Sequence, residues 1–151
     1  MSVEIHHLGP GDVEEARGVA AVANSGSTAA AAGGDHVSAF LADRKNVLYV
    51  ARDQDLCIGF LVAYVLDRRD GEPPMVLLYE LEVAPAHRGR GVRRALVEAL
   101  RALSREIEAV KIWVPTHRSH QAAVAVYQAA GAAAARAGDD VTFEFAPEAL
   151  K

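Results

Sequence analysis

The stretch His87-Arg-Gly-Arg-Gly-Val-Arg-Arg-Ala-Leu96 follows an alternating apolar run and opens a strongly amphipathic segment. It reads as strand, turn and helix. Gly89 and Gly91 give the backbone freedom at the turn, and Val92 begins the helix. The first amides of a helix have no internal partner and point outward at the positive end of the dipole. Ringed by Arg88, Arg90, Arg93 and Arg94, they form a cradle for a phosphate or pyrophosphate. A nucleotide-triphosphate loop needs Gly-Lys-Ser/Thr at the helix start, which this turn lacks. A dinucleotide fingerprint needs three glycines early in a strand–helix–strand unit, whereas this turn has two and lies past mid-chain.

The chain of 151 residues suits a single domain, 1–151, with material for a sizeable core. Hydrophobic residues make up 51%, much of it alanine, a strong helix former of small volume. The net charge of −4 argues against a nucleic-acid partner and suits a local basic turn for an anionic cofactor with a cationic substrate. The single Cys57 excludes an intrachain disulfide and fits a reducing compartment, so a cytoplasmic protein is expected. No secretory leader is visible, and no apolar run of ~18 residues suggests a membrane partner. No metal site is expected. His6 and His7 face opposite sides of a strand, and His117 and His120 have no third ligand nearby.

Periodicity gives a mixed order of strands and helices. A strand at Val3–Leu8 precedes a helix at Pro10–Val22 with an acidic first turn, a loop at Asn24–Gly34, and a short helix at Asp35–Ala42 capped by Asp35. Asn46–Arg52 and Leu56–Leu66 form a hairpin about Asp53-Gln54-Asp55. After a polar loop, Met75–Val83 is a strand and Val92–Leu103 a long helix. Val110–Val114 is a strand stopped by Pro115, Ser119–Ala130 a helix ended by Gly131, and Val141–Phe145 a closing strand. A hairpin partner near Ala133–Arg136 is left open, because alanine is a poor strand former.

Strict alternation in Leu77–Val83 puts Leu77, Tyr79, Leu81 and Val83 on one face and Leu78, Glu80 and Glu82 on the other. The two carboxylates then lie roughly 6–7 Å apart. One reading is a partly solvated face. The other is a cleft wall that takes a proton from an ammonium group and holds cations, with like charge and burial raising one pKa. Asp139, Asp140 and Glu144 are further acidic candidates for a cationic substrate, and Asp139-Asp140 also reads as a solvated turn. Trp113 points opposite to Val110, Ile112 and Val114 and is expected to pack against a helix.

The turn with Arg88 and Gly91 resembles the Arg/Gln-x-x-Gly-x-Gly/Ala signature of the GCN5-related N-acetyltransferases (GNAT), which bind the pyrophosphate of acetyl coenzyme A. Arg93 stands where that family usually has Gly or Ala. The element order is similar over nearly the whole chain. Leu78-Tyr-Glu-Leu-Glu-Val83, Ala63-Tyr-Val-Leu66, Ala123-Val-Ala-Val-Tyr127 with Gly131, and Thr142-Phe-Glu-Phe145 look like the aminoglycoside 3-N-acetyltransferases of the gentamicin-modifying type.

The resemblance implies an α/β (α+β) fold: a mixed, mostly antiparallel sheet flanked by helices, with two splayed strands forming the acetyl-CoA cleft. It implies that the pantetheine arm lies along Leu81, Glu82 and Val83 like an added strand, and that amides there stabilise the developing oxyanion. Glu80 matches the carboxylate taken as general base, directly or through water, with Glu82 orienting substrate. Tyr127 matches the tyrosine that faces the thiol sulfur, and His120 stands where many relatives carry Asn near the cofactor. The implied activity is direct acetyl transfer to a primary amine of a small cationic acceptor, an aminoglycoside or polyamine. A peptide amine, or a non-catalytic acyl-CoA-binding module, remains an alternative. A homodimer through the terminal strand is a further expectation.

Overall fold

The computed structural model describes residues 2–22 and 34–133. Among them the order is β1 (Val3–His7), α1 (Val13–Arg17), α2 (Gly34–Ala42), β2 (Asn46–Asp53), β3 (Leu56–Leu66), β4 (Met75–Val83), α3 (Val92–Glu106), β5 (Ile112–Trp113) and α4 (Gln121–Ala129). The strands lie side by side in chain order as a five-stranded sheet. Every pairing is antiparallel except β4 with β5, which is parallel. This is the mixed, mostly antiparallel sheet expected. The segments Asn24–Ala32, Asp139, Asp140, Glu144 and the expected strand Val141–Phe145 lie outside the described residues.

Two apolar layers sandwich the sheet. On one face α3 inserts Val92, Leu96, Val97 and Leu100 against Val47, Ile58, Leu61 and Val76. Its repeat of apolar positions makes one stripe of the helix apolar, and each fully buried aliphatic side chain contributes about 1.5–3 kcal/mol. The helix ends in a Schellman motif: Glu108 (φ 56°) donates its amide to Arg105 O, and Ala109 donates to Ser104 O. On the opposite face Ala16, Val22 and Leu41 cover Leu48, Val50, Phe60 and Val62. Among the described residues, no helix is long and apolar enough to cross a membrane.

Gly59 fixes how closely β3, β4 and α3 approach. A Cβ there would stand 2.9 Å from Glu82 O and 3.2 Å from Val92 Cγ1. The strand that carries the acidic pair and the helix that follows the cradle therefore meet over a bare backbone.

Several local expectations are corrected. α1 starts at Val13, not Pro10, and passes into a 3-10 turn at Gly18–Ala21. Gly9-Pro10-Gly11 is a turn tied by the Gly9 amide donating to Asp12 Oδ2 at 2.7 Å, and Gly18 disfavours further helix. Asp35 lies inside α2 and does not cap it, because the helix begins at Gly34. β5 is two residues long, not five.

The largest correction concerns β4. Ala63 pairs with Leu78, but Val62 pairs with Glu80, so Tyr79 is an extra residue in a β-bulge. Alternation therefore changes parity within the strand. Val76 and Leu78 face α3 before the bulge, and Leu81 and Val83 face it afterwards.

Candidate active site

The site forms where β4 loses its neighbour. β5 pairs with β4 only at Val76–Ile112 and Leu77–Trp113. Beyond Leu77 the strands part, and Pro115, which lacks an amide hydrogen, follows Val114 along the far wall. The expected splayed pair is present. Between the strands lies a cavity of about 760 Å³, whose wall includes Glu80, Glu82, Arg88, Arg93, His120 and Tyr127.

The backbone of β4 faces this opening. Ala84 donates its amide to Ile58 O at 2.8 Å, on the β3 side. By alternation, Leu81 and Val83 turn their amides and carbonyls the other way, toward the gap. The Val83 carbonyl already accepts from Arg88 Nε at 3.2 Å. That bond ties the end of the strand to the turn that follows.

The turn itself is held by local hydrogen bonds. A 3-10 segment at Pro85–His87 closes with the His87 amide donating to Ala84 O at 2.8 Å. Gly89 (φ 74°) and Gly91 (φ 79°) then adopt the left-handed conformation that favours glycine. Gly91 caps α3 without a side-chain partner for the helix amides. The first intrahelical bond is the Ala95 amide to Gly91 O at 2.9 Å, so the amides of Val92, Arg93 and Arg94 remain directed out of the helix end.

A second cavity of about 210 Å³ lies against this turn and is lined by His87, Gly89, Gly91, Arg93 and Arg94 among others. Among the described residues its polar groups are arginines, His87 and main-chain amides, and none is a carboxylate. A Cβ on Gly89 or Gly91 would meet nothing within 4 Å, so the space before these amides is open. His87 Nδ1 is buried here without a hydrogen-bond partner among the described residues. The residues present fit a diphosphate.

Glu80 and Glu82 share one face, as expected from the sequence, because both follow the bulge. They lie opposite Val62 and Phe60, on the α1–α2 side of the sheet. Glu80 stands open to the cavity, yet the surrounding walls desolvate its carboxyl enough to raise its pKa, and the neighbouring Glu82 charge raises it further. Tyr127 comes from the other side, packed against the α3 layer. Burial raises its phenol pKa, with the Arg93 charge opposing. The C-terminus of α4 is fixed by a Schellman motif in which Ala132 donates to Tyr127 O and Gly131 (φ 93°) turns the chain. The splayed gap thus lets side chains from opposite sheet faces meet in one space.

His120 caps α4 and lies 5.7 Å, ring to ring, from His117. Both line the larger cavity. Arg93, the departure from the family signature, lines both cavities, and its charge acts on the Tyr127 phenol. Arg90 is exposed on the turn and lines neither. Trp113 does not pack under a helix as expected: it is 55% exposed. The sequence reading missed Tyr79 as a cavity residue. Its signal was available in the apolar spacing, Val76 and Leu78 followed by Leu81 and Val83, where one step of two becomes three.

The sequence signature of the acetyltransferase (GNAT) family matches residues 23–132. No curated protein sequence matches the chain. Among solved structures, similar folds include an aminoglycoside acetyltransferase, HMB0005, from an uncultured soil metagenomic sample, with 26% identity over 95% of this chain and 100% of that one, and a TM-score of 0.79. Another is the aminoglycoside N-acetyltransferase AAC(6')-Iy in complex with CoA, with 22% identity, coverage of 97% and 95%, and a TM-score of 0.74. A third is the ribosomal-protein-alanine N-acetyltransferase from Brucella melitensis biovar Abortus 2308, with 23% identity, coverage of 94% and 100%, and a TM-score of 0.67.

Proposed function

The chain belongs to the acetyltransferase (GNAT) family and is an acetyl-CoA-dependent N-acetyltransferase, and from that premise we propose that it acetylates a primary amine of a small polycationic acceptor. Within that class the proposed acceptor is an aminoglycoside, modified at its 3-amino group. The observation that carries the reading is the polarity of the larger cavity. The paired carboxylates Glu80 and Glu82 enter it from the α1–α2 face, and Arg88 and Arg93, from the turn and the start of α3, line it as well. An anionic cofactor and a cationic acceptor each find the opposite charge in the same space. Two of the similar folds act, by name, on aminoglycosides, while a third acts on a ribosomal protein. The acceptor therefore has to be read from the site and not from the fold.

When bound, acetyl-CoA supplies a thioester whose carbonyl carbon accepts the amine nitrogen. The amides from Gly89 to Arg94, with the Arg88, Arg93 and Arg94 side chains, hold its diphosphate. The amides of Leu81 and Val83 face the acyl arm as hydrogen-bond donors. Glu80, whose pKa is raised by burial and by the Glu82 charge, takes the proton from the acceptor ammonium at a carboxylate oxygen, directly or through one water. Glu82 holds the acceptor's positive charge beside it. Tyr127, kept protonated by its raised pKa, donates its phenolic hydrogen toward the departing sulfur.

The test is an amine panel followed by free-thiol release, with gentamicin, spermidine, a monoamine and a peptide as acceptors. Turnover of gentamicin supports the proposed acceptor. Turnover of spermidine alone keeps the polycation reading and removes the antibiotic. Turnover of the peptide alone overturns both.

A further inference from the structure

The bulge in β4 has a consequence for acceptor choice, and it rests on the amine-acceptor reading above. Tyr79 is the residue that the register leaves over. Its ring meets Tyr64 edge to face, with centroids 5.6 Å apart and planes at 67°. Tyr64 is braced in turn by Phe40 of α2, at 6.2 Å and 81°. Tyr64 pairs with Leu77 and belongs to the α1–α2 face. Tyr79 therefore lies on that face too, beside Glu80 and Glu82. Without the extra residue, alternation would separate Tyr79 from the carboxylates.

Tyr79 is held in orientation but is not covered. It is 60% exposed and lines the larger cavity. The face of a tyrosine ring carries the negative part of its quadrupole and attracts an ammonium group. Glu80 and Glu82 add two negative charges on the same face. Arg88, tied to the Val83 carbonyl, and Arg93, in the first turn of α3, line the same cavity and repel a cation. An acceptor with several ammonium groups is thus sorted within the cavity: one amine at Glu80, the rest away from the arginines and toward Tyr79.

We infer that Tyr79, placed beside Glu80 and Glu82 by the bulge and braced by Tyr64, is a specificity-determining platform for a second cationic group, so that the enzyme selects polyamine-type acceptors over monoamines.

The experiment measures kcat and KM for Tyr79→Leu and Tyr79→Phe with spermidine and gentamicin as polycations and propylamine as monocation. Tyr79→Leu should raise KM for the better polycation about tenfold and leave its kcat, the propylamine KM and the acetyl-CoA KM unchanged. Tyr79→Phe, which keeps the ring, should restore the polycation KM to near wild type. An equal rise for propylamine or acetyl-CoA would mean a merely structural role and overturn the inference, as would an unchanged polycation KM. A wild-type enzyme silent with every amine would remove the acceptor reading itself, and the inference with it. A wild type that turns over both polycation and monocation with equal kcat/KM would remove the inference alone.

Discussion

The proposed cofactor turn and the proposed acceptor strand are adjacent in sequence but encoded in different ways. The cradle at 87–94 is made of consecutive residues. Its proposed working groups are main-chain amides joined by arginine side chains, and its shape depends on two left-handed glycines and a helix start. The acceptor wall is made of side chains whose direction depends on how β4 registers with β3. One extra residue decides which of them share a face. The first region should therefore be most sensitive to changes of backbone conformation. The second should tolerate backbone-neutral changes anywhere except at the few side chains that touch the acceptor.

That contrast can be broken at either end. The largest effect is expected for Glu80→Gln, which keeps shape and removes the proposed base. Turnover should fall by about 10²–10⁴-fold while calorimetry finds coenzyme A affinity unchanged. Gly59→Ala attacks the point where the two regions meet, since its Cβ would press on Glu82 O at 2.9 Å. Thermal unfolding should show a loss of about 1–3 kcal/mol, and a variant as stable as wild type would mean that β3 yields there. Gly91→Ala strains a φ of 79° by roughly 1–2 kcal/mol, so the acetyl-CoA KM should rise about tenfold with kcat held.

The smallest effect sharpens the comparison by pH. In the proposed mechanism Glu80 acts as a carboxylate, so kcat/KM should rise with pH through its raised pKa. Burial is the larger cause of that rise and Glu82 the lesser. Glu82→Gln should therefore move the acid limb to lower pH without bringing it down to the ordinary carboxylate range. An acid limb that stays in place, or moves up, would separate the limb from Glu80.

What the sequence disclosed follows the same division. The turn, the long amphipathic α3 and the bounds of β4 were legible because each depends on neighbours in the chain. Glu80 and Glu82 were correctly placed together, since no irregularity falls between them. The face of Tyr79 was misread, because a bulge is set by cross-strand pairing and strict alternation passes over it. The three-residue step from Leu78 to Leu81 was the available sign. Asp35 as a cap failed for a related reason: capping preference is local, but α2 begins one residue earlier than the pattern suggests. Trp113 was expected to pack against a helix because alternation points it opposite to Val110, Ile112 and Val114, yet its strand pairs with β4 for only two residues. The meeting of Glu80 with Tyr127 from opposite sheet faces was legible only through resemblance, since nothing local to either residue encodes the splay.

The central claim is that main-chain amides at the start of α3 hold the diphosphate of coenzyme A beside the cavity that Glu80 lines. A crystal structure of the complex with coenzyme A tests it most directly. Diphosphate oxygens within hydrogen-bond distance of amides between Gly89 and Arg94, with the pantetheine entering the gap beside Leu81, are the result expected. A diphosphate bound at any other surface would contradict the account.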